Sequence, residues 1–541
     1  MRTIFFLVGV FCCSLFELAA QNTVSKVWVA DLGNGKYKNP ILYSDYSDPD
    51  ICRVGDDYYM TASSFNCIPG LPILHSKDLV NWTLVGHAIS RMPENASFGE
   101  GVNHGGSVWA PSIRYHKGEF YIYYGDPDLG IFMTKAKDPA GEWEPLVLVK
   151  EGKGLIDSCP LFDDDGLVYL AHGFAGSRAG IKSLLAITRL TPDGKQAIGE
   201  SQVIYDGHAI DPTIEGPKFY KRNDFYYILA PAGGVKTGWQ LALRSKNVFG
   251  PYERKVVMAQ GKTNINGPHQ GGWVDTQTGE DWFLHFQDVG ALGRITHLQP
   301  MVWRNDWPVI GEDKDGDGCG DPVLTYKKPD VGKTYPIVTP QESDEFNSNC
   351  LGLQWQWHGN PMSWWHFTNQ EKGCLNLYSI PIPDNYKSLW DVPNLLLQKI
   401  SAPEMATTMK MTFIPDQGIT GERTGLLVMG RDYALLSFEN KGNGIFELSQ
   451  TECIKADKGG TEVKNQSVEL KEGTVYLRMR LKEGVCTFSY STDNKKYMSM
   501  GNSFKVYEGQ WIGAKIGTFC SRPIHKNDGG RVEIDWFRVE K

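Results

Sequence analysis

A short pattern recurs five times in the first three hundred residues: a polar turn followed by a strand rich in aromatic residues. Turns of Asp, Asn and Gly between β-branched and aromatic residues are typical of β-hairpins, and helical periodicity is scarce in this chain. The copies recur roughly every 50 to 60 residues, which is the spacing of propeller blades. We therefore predict an all-β fold that begins with a five-bladed β-propeller of four-stranded blades. The copies are VGDDYYMTASS from Val54, HKGEFYIYYGD from His116, DDDGLVYLAHG from Asp163, KRNDFYYILAP from Lys221 and TGEDWFLHFQD from Thr278.

The chain is too long for one ordinary domain, since it has 541 residues, of which 41% are hydrophobic. Its residues 326–346 read YKKPDVGKTYPIVTPQESDEF, a connector with Pro and Lys and no apolar periodicity. Later segments such as LLVMGRDYALLSFEN alternate as strands with one buried face do. We predict a propeller over 21–330, a linker over 331–344 and a jelly-roll, concanavalin-like β-sandwich over 345–541. The alternative to the propeller, a single sandwich, would need several separate cores.

The first twenty residues, MRTIFFLVGVFCCSLFELAA, resemble a secretory signal, with an early Arg, an apolar run and small residues before Gln21. We expect cleavage near Gln21 and a secreted or periplasmic protein. Nine of the eleven cysteines follow that point, and they lack CxxC spacing and His partners. This pattern argues against a disulfide framework and a zinc site, and it favours small buried side chains.

The charge pattern excludes some partners. The net charge is −8 and no long run of Lys and Arg occurs, so the chain has no electrostatic footprint for nucleic acid or a membrane surface. Sixteen Trp and 24 Tyr suit a β-protein that stacks flat rings on a sugar, although most such rings fill sheets. We expect an oligosaccharide or polysaccharide partner. The oligomeric state stays open.

Three acids lie at similar places ahead of three of the repeated units. Asp48 is in SDPDI, Asp157 in GLIDSCPLF and Glu215 in IEGPKFY, and each precedes its unit by a similar short interval. Because the inner strands of all blades surround one funnel, acids at equivalent blade positions converge there. Any one of them taken alone could be a turn residue, and we assign Asp45 and Asp50 to such Asx turns. We predict that the other three form one active site.

A series of motifs, in this order, resembles glycoside hydrolase family 43, the inverting β-xylosidases and α-L-arabinofuranosidases. The resemblance covers nearly the whole mature chain and implies a five-bladed propeller with a C-terminal sandwich. The motifs are NPILYSDYSDPDICRVGDDYYMTASSF, ILHSKDLVNW, VWAPSIRYHKGEFYIYY, IDSCPLFDDDG, IEGPKFYKRNDFYYILAPAGG, GPHQGGWVDT and LGRITHLQPM.

The resemblance implies a role for each acid. Inverting hydrolysis uses a protonated carboxyl at the leaving oxygen and a carboxylate that activates water across the ring, about 6.5 to 9.5 Å away. In the family pattern Asp48 is the general base and Glu215 the general acid. Asp157 is the third acid, which orients Glu215 and keeps it protonated. Arg294 matches an arginine near the base and the sugar, with a salt bridge inside blade five as the alternative.

Three further residues are candidates for substrate binding. His269 matches a family histidine near the axis that often contacts a metal ion through water, and a hydrogen-bonded core histidine is the alternative. Phe65 and Trp109 are expected to wall the pocket by stacking on the sugar, with structural packing as the alternative.

No cofactor is expected for the chemistry, but the sequence suggests a structural calcium ion. The loop DKDGDGCGDP from Asp313 has the acid spacing and the glycine of a calcium loop. Leu324 stands where such a loop carries its closing glutamate, so an ordinary polar turn is the alternative.

We expect an exo-acting inverting hydrolase that releases terminal α-L-arabinofuranosyl or β-D-xylosyl residues from plant hemicellulose such as arabinoxylan or xyloglucan. Cys67 stands where relatives usually show a large aromatic residue, and the smaller side chain favours arabinofuranosidase activity. The alternatives are a β-D-xylosidase, an endo-arabinanase and a non-catalytic propeller lectin. The lectin has no need of three phased acids.

Overall fold

The computed structural model describes residues 24–93, 101–523 and 526–541. It shows a five-bladed propeller followed by a β-sandwich, which confirms the predicted fold class. The signal-like residues 1–20 lie outside the described part. Within that part, no helix is long and apolar enough to cross a bilayer. The nine cysteines that it contains are free, and seven of them are buried, as expected.

Each propeller blade is one antiparallel sheet of four strands that follow one another in the chain. A short strand, Lys36–Lys38 (β1), precedes them. Blade one is Asp50–Val54 (β2), Asp57–Thr61 (β3), Gly70–Ser76 (β4) and Trp82–Ile89 (β5), and blade two is Trp109–His116 (β6), Glu119–Asp126 (β7), Gly130–Ala136 (β8) and Val147–Glu151 (β9). Blade three is Leu155–Phe162 (β10), Val168–Phe174 (β11), Leu184–Leu190 (β12) and Ala197–Asp206 (β13), with a short helix at Gly176–Ala179 (α1). Blade four is Lys218–Arg222 (β14), Phe225–Ala232 (β15), Trp239–Ser245 (β16) and Glu253–Ala259 (β17), and blade five is His269–Asp275 (β18), Asp281–Asp288 (β19), Arg294–Arg304 (β20) and Trp307–Ile310 (β21).

The aromatic strand of each repeated unit is the second strand of its blade. In β7, Phe120 and Ile122 pack between blades one and two, whereas Tyr121 and Tyr123 pack between blades two and three. Side chains alternate between the two faces of a strand, so a blade with neighbours on both sides buries every position. One apolar cluster of this kind fills each of the five gaps between blades. This double burial explains why the repeats are runs of aromatic residues.

The propeller ring is closed by contacts outside the blades, since the four strands of each blade are consecutive in the chain. β1 pairs with a late strand, Thr325–Lys327 (β22), and Leu42 forms an isolated bridge with Thr296 in blade five. The buried Tyr37 hydroxyl donates to the Leu298 carbonyl over 2.7 Å. The chain that enters blade one is thereby fastened to blade five.

The C-terminal domain consists of two eight-stranded sheets packed on a common core. Its strands are Gln356–Trp357 (β23), His366–Asn369 (β24), Cys374–Tyr378 (β25), Ile380–Pro381 (β26), Leu396–Lys399 (β27), Glu404–Ile414 (β28), Arg423–Met429 (β29), Tyr433–Gly442 (β30), Ile445–Cys453 (β31), Glu462–Leu470 (β32), Thr474–Lys482 (β33), Val485–Ser491 (β34), Met498–Ser499 (β35), Phe504–Lys505 (β36), Lys515–Arg522 (β37) and Arg531–Glu540 (β38). One sheet has the order β23-β27-β37-β29-β30-β31-β32 with β26 beside β37, and the other has the order β24-β25-β38-β28-β33-β34-β35 with β36 beside β34. Single 3₁₀ turns occur at Gly290–Leu292, Leu389–Asp391 and Ala456–Lys458.

Asp45 fastens the sandwich to the propeller. Its buried carboxylate accepts from the Arg294 amide (2.8 Å) and, through the other oxygen, from the Gly513 amide (2.9 Å). The assignment of Asp45 to an Asx turn is therefore wrong, because both oxygens bond to amides remote in sequence. The two backbones are in close contact here, since a Cβ on Gly513 would lie 2.7 Å from Gly293 Cα.

We predict that Gly513→Ala lowers the melting temperature, because the added methyl overpacks a contact between two backbones and such overpacking costs about 1–3 kcal/mol. Gly86→Ala is the matched control, since a Cβ there would meet no atom closer than 3.5 Å. Calorimetry of the two variants makes the comparison. Equal melting temperatures would show that the domains do not need this close approach.

Candidate active site

One backbone conformation recurs at the head of the innermost strand of every blade, where one residue has a positive φ. Four of these five residues are not glycine, although the region is unfavourable for residues with a side chain. Such backbone strain is concentrated at functional sites. The repeat gives Asp48 and Asp157 equivalent positions, as predicted. The five residues are Asp48 (55°), Ala110 (28°), Asp157 (58°), Gly216 (58°) and Gln270 (34°).

Glu215 lies one residue before this position, as do Trp109 in blade two and His269 in blade five. The interpretation that all three acids share one blade position is therefore wrong by one residue for Glu215. The reason is space, since a Cβ on Gly216 would lie 2.6 Å from Gln270 Cγ. Blade four keeps glycine at the crowded position and presents its acid from the residue before it.

Asp48 is buried and surrounded by hydrogen-bond donors. Its Oδ2 accepts from the hydroxyls of Ser47 (2.7 Å) and Ser63 (2.6 Å), and its Oδ1 from Arg294 Nη1 (3.4 Å). The Ser63 oxygen itself accepts from the Ala110 amide (2.7 Å), which fixes this hydroxyl in place. An ionised carboxylate, which only accepts hydrogen bonds, matches these surroundings.

Asp157 is buried to the same extent as Asp48, and the charges of both other acids act on it. Its Oδ2 accepts from the Gly216 amide (2.8 Å) and from Gln270 Nε2 (3.4 Å). Burial, followed by the charges of Glu215 and Asp48, raises the pKa of Asp157 well above its usual value. The charges of Glu215 and Asp48 both act on Asp157, which indicates that the three carboxyl groups lie near one another. The sequence did not single out Gln270, because its role depends on the backbone conformation of blade five.

Glu215 bonds to His269, whose Nε2 lies 2.8 Å from Glu215 Oε1. The histidine side chain is fully buried, whereas the Glu215 side chain is 24% exposed to solvent. His269 therefore orients this carboxyl. Its Nδ1 has no partner among the described residues. This nitrogen could therefore bond to a water molecule that coordinates a metal ion. Metal contact by His269 stays a prediction.

Arg294 begins β20 and faces Asp48. Its Nη1 also donates to the Ser47 hydroxyl (2.8 Å), and its guanidinium lies 5.0 Å from the centre of the Phe286 ring. Its amide is the one held by Asp45. The structure thus places Arg294 beside the proposed base, as the family pattern implies.

Three aromatic rings from two domains lie close to one another near the head of blade two. Phe65 and Trp109 are in edge contact with their centroids 6.4 Å apart, and Trp511 of the sandwich lies 6.1 Å from Trp109. Trp511 is 48% exposed, while Phe65 is nearly covered. Sequence reasoning missed Trp511, since only the docking of the domains brings it to Trp109. Cys67, expected to open the wall, is itself buried.

A polar layer lies two residues further along the inner strands. Fully buried Asp50 bonds to Arg114 (2.6 Å) and the Ile113 amide (2.8 Å), so its assignment to an Asx turn is wrong. In blade four the fully buried Lys218 donates to the Pro111 carbonyl (2.7 Å) and the Ser112 hydroxyl (2.9 Å). One buried ion pair and the two hydrogen bonds of Lys218 thus tie together the inner strands.

The candidate calcium loop brings three acids together. Carboxylate oxygens of Asp313, Asp315 and Asp317 lie within 4.8 Å of one another. Asp313 also bonds to Arg304 (2.6 Å), and its two oxygens accept from the amides of Gly316 and Gly318. This oxygen donor set fits calcium, and occupancy stays a prediction.

Comparison with known proteins gives the family. The model of glycosyl hydrolases family 43 matches residues 37–308, and the model of the beta xylosidase C-terminal concanavalin A-like domain matches residues 343–540. The chain belongs to glycosyl hydrolase family 43. It is a glycosidase that acts on carbohydrate, and the resemblance seen in the sequence is confirmed.

Relatives match the family 43 chain over nearly its full length. A putative beta-xylosidase of Xylanibacter ruminicola is 39% identical over 91% of this chain and 88% of its own. A non-reducing end alpha-L-arabinofuranosidase of Bacteroides ovatus is 31% identical over 94% of this chain and 96% of its own. The solved structure described as Bacteroides ovatus xyloglucan PUL GH43B has a TM-score of 0.80 and 27% identity, covering 93% of this chain and 99% of that one.

We predict that Asp157→Asn stabilises this family 43 enzyme increasingly as the pH rises. An acid with a raised pKa keeps its proton in the folded state after the unfolded chain has lost it, so wild-type stability falls above pH about 4. Asparagine removes this cost. The gain in melting temperature should be small near pH 4 and grow towards pH 7. Asp224→Asn, on an exposed turn, is the control, and a gain independent of pH would contradict the raised pKa.

Proposed function

We propose that this protein is an exo-acting inverting glycoside hydrolase that releases terminal α-L-arabinofuranosyl residues, and β-D-xylosyl residues from the same pocket, from plant hemicellulose oligosaccharides. The observation that carries the proposal is the unequal surroundings of the acids. Asp48 meets only donors, whereas Glu215 bonds to His269 and lies next to the enclosed Asp157. These surroundings support Asp48 as the general base and Glu215 as the general acid.

The reaction follows from this division. Asp48 takes a proton from a water whose oxygen bonds to the anomeric carbon, while the bond from that carbon to the leaving oxygen breaks. Glu215 gives its proton to the leaving oxygen. Asp157 and His269 orient Glu215, and Arg294 and Ser63 hold Asp48. Because water attacks from the face opposite the leaving group, the anomeric configuration inverts.

The sandwich domain supports exo-action. Its residue Trp511 stands beside Trp109, and the segment around Gly513 is bonded to Asp45 at the rim. A rim built by a second domain narrows the mouth of the funnel to a chain end. An endo-arabinanase would need a cleft open on both sides.

The choice between the two sugars has support on each side. The relative of Bacteroides ovatus is named for arabinofuranosidase activity and that of Xylanibacter ruminicola for beta-xylosidase activity. Because the relative named for beta-xylosidase activity is the more similar of the two, we keep β-D-xylosidase as the second candidate function.

The proposal extends to location and to metal. Residues 1–20, with their apolar run, support export to the periplasm or the medium. The Asp313 loop supports a structural calcium ion, and the partnerless Nδ1 of His269 supports a water-bridged metal contact. Neither ion takes part in the proposed chemistry.

We predict that Glu215→Gln and Asp48→Asn respond differently to the leaving group. Without its acid, Glu215→Gln should lose about 10²- to 10⁴-fold in kcat on oligosaccharides. It should lose much less on aryl glycosides whose leaving group needs no proton. Asp48→Asn should lose activity on both. Glu200→Gln, at an exposed site, is the control. Wild-type rates in Glu215→Gln would reject Glu215 as the general acid, whereas a wild-type protein that binds these sugars without hydrolysing them would leave the lectin.

We also predict that an arabino-oligosaccharide ladder yields only monosaccharide at early times, and that the first-formed sugar has the inverted anomeric configuration. Chromatography and proton NMR measure the two outcomes. Early oligosaccharide products would instead establish an endo-arabinanase, and a retained configuration would overturn the role of Asp48 as base.

A further inference from the structure

A cavity between the propeller and the sandwich, outside the active site, contains basic groups without an acidic partner. It has a volume of about 60 Å³ and lies between β5, the segment before β2, and β27. Lys399 and His87 line it, together with the aromatic rings of Trp28 and Tyr46. A volume of this size exceeds the room for one water several-fold and suits a small polyatomic ion.

Two lysines occupy directly opposed positions beside this cavity. Lys399 at the end of β27 is paired in register with Lys515 at the start of β37. Like charges directly opposite each other on neighbouring strands are destabilising. Lys515 is buried and donates to Gln356 Oε1 (2.7 Å). Within the described ranges, no carboxylate lies within 4.0 Å of Lys399 Nζ, and its one named contact is the Tyr46 ring at 5.1 Å.

The acids nearest to these lysines are already engaged. Asp45 acts on the charge of Lys399, yet both of its oxygens bond to the amides of Arg294 and Gly513. Glu342, which also lines the cavity, accepts from the Ser25 hydroxyl with both oxygens (2.9 and 3.0 Å). Asp45 therefore offsets the charge of Lys399 only from a distance, and neither lysine forms a direct ion pair within the described residues.

A buried amide provides an independent sign of a missing ligand. Gln398 is 2% exposed and lines the cavity, and its Nε2 has no hydrogen-bond partner among the residues described. A buried donor without a partner costs about 1–3 kcal/mol. An acceptor in the cavity would satisfy it.

The protonation states favour an anion. Burial and the charge of Lys515 lower the pKa of Lys399 to about 8, which leaves the ammonium protonated at neutral pH. Burial, with the charges of both lysines, lowers the pKa of His87 to about 3, so its ring is neutral and adds no charge. The Lys399 ammonium and the Gln398 amide thus line the cavity, and the second buried lysine, Lys515, lies opposite Lys399.

We propose that this interdomain cavity is a binding site for a small oxyanion, a carboxylate or phosphate group, held by Lys399 and the amide of Gln398, with Lys515 opposite Lys399 adding positive charge. The anion would offset the charges of the opposed ammonium groups, and it would accept a hydrogen bond from the amide nitrogen of Gln398. A carboxylate has two sources, an acidic sugar or a free organic acid, and both present the same group. The site is independent of the reaction proposed above, since none of its three residues belongs to the acid cluster.

Thermal unfolding at constant ionic strength tests the site. Acetate, glucuronate and inorganic phosphate are each compared with chloride, and xylose serves as the neutral sugar. At least one of the three anions is expected to raise the melting temperature above that in chloride, and calorimetric titration should give saturable binding. A response to glucuronate alone identifies the acidic sugar, and a response to phosphate alone identifies a phosphate group.

Variants then locate the response. Lys399→Met should weaken binding about tenfold or more, because it removes a charge-assisted bond. Gln398→Leu, which keeps both lysines, should also weaken anion binding. It replaces Lys399→Met as the test if that variant does not fold. Lys410→Met is the control, since Lys410 lies in the same domain and is paired with Asp535. Equal effects of oxyanions and chloride on the wild type, or undiminished binding in both cavity variants, would overturn the proposal.

Discussion

The active site depends on a backbone constraint that is repeated five times around the axis. At the head of each innermost strand one residue takes a positive φ, and this residue or the one before it provides a group of the site. A regular strand would send its successive side chains to the two faces of the blade, into the gaps between blades. The left-handed residue interrupts that alternation where the strands enter the funnel. Asp48, Asp157 and Gln270 use the position itself, and Glu215 and His269 use the preceding one.

This constraint also explains how three carboxyl groups are kept close together. Each acid is held by a different kind of partner: hydroxyls and a guanidinium for Asp48, a backbone amide for Asp157 and an imidazole for Glu215. Burial and the charges of the other two acids act together on Asp157. The polar layer beneath, with its Asp50 to Arg114 pair, holds the strands that bear the acids. Strands that are covalently distant are thus fixed by buried charge pairs near the axis.

Much of the fold was predictable because its cause is local. The turn residues and the aromatic runs of the five repeats report hairpins buried on both faces, and such hairpins fit a propeller. The three acids were found through their position ahead of these hairpins, and the family resemblance supplied their roles. The remaining features depend on tertiary contacts. In the sequence Asp45 resembles a turn residue, because its partner Gly513 lies in the sandwich. Trp511 has no neighbouring motif in the sequence that indicates its position beside Trp109. The one-residue offset of Glu215 depends on the room that Gln270 leaves in blade four.

The same tertiary contacts make the sandwich a structural part of the active site. Asp45 receives the Gly513 amide on one oxygen and the Arg294 amide on the other, and the Arg294 side chain then reaches Asp48. A chain of three direct bonds therefore joins the second domain to the proposed base. A separately folded binding module would need no such connection, because its linker alone would keep it near the substrate. If either amide moved away, the buried Asp45 carboxylate would lose one of its two hydrogen bonds, which is unfavourable. The position of Arg294 therefore depends on correct docking of the sandwich. The propeller without its sandwich would therefore lose the contact of Trp511 with Trp109 and the Gly513 amide that bonds to Asp45.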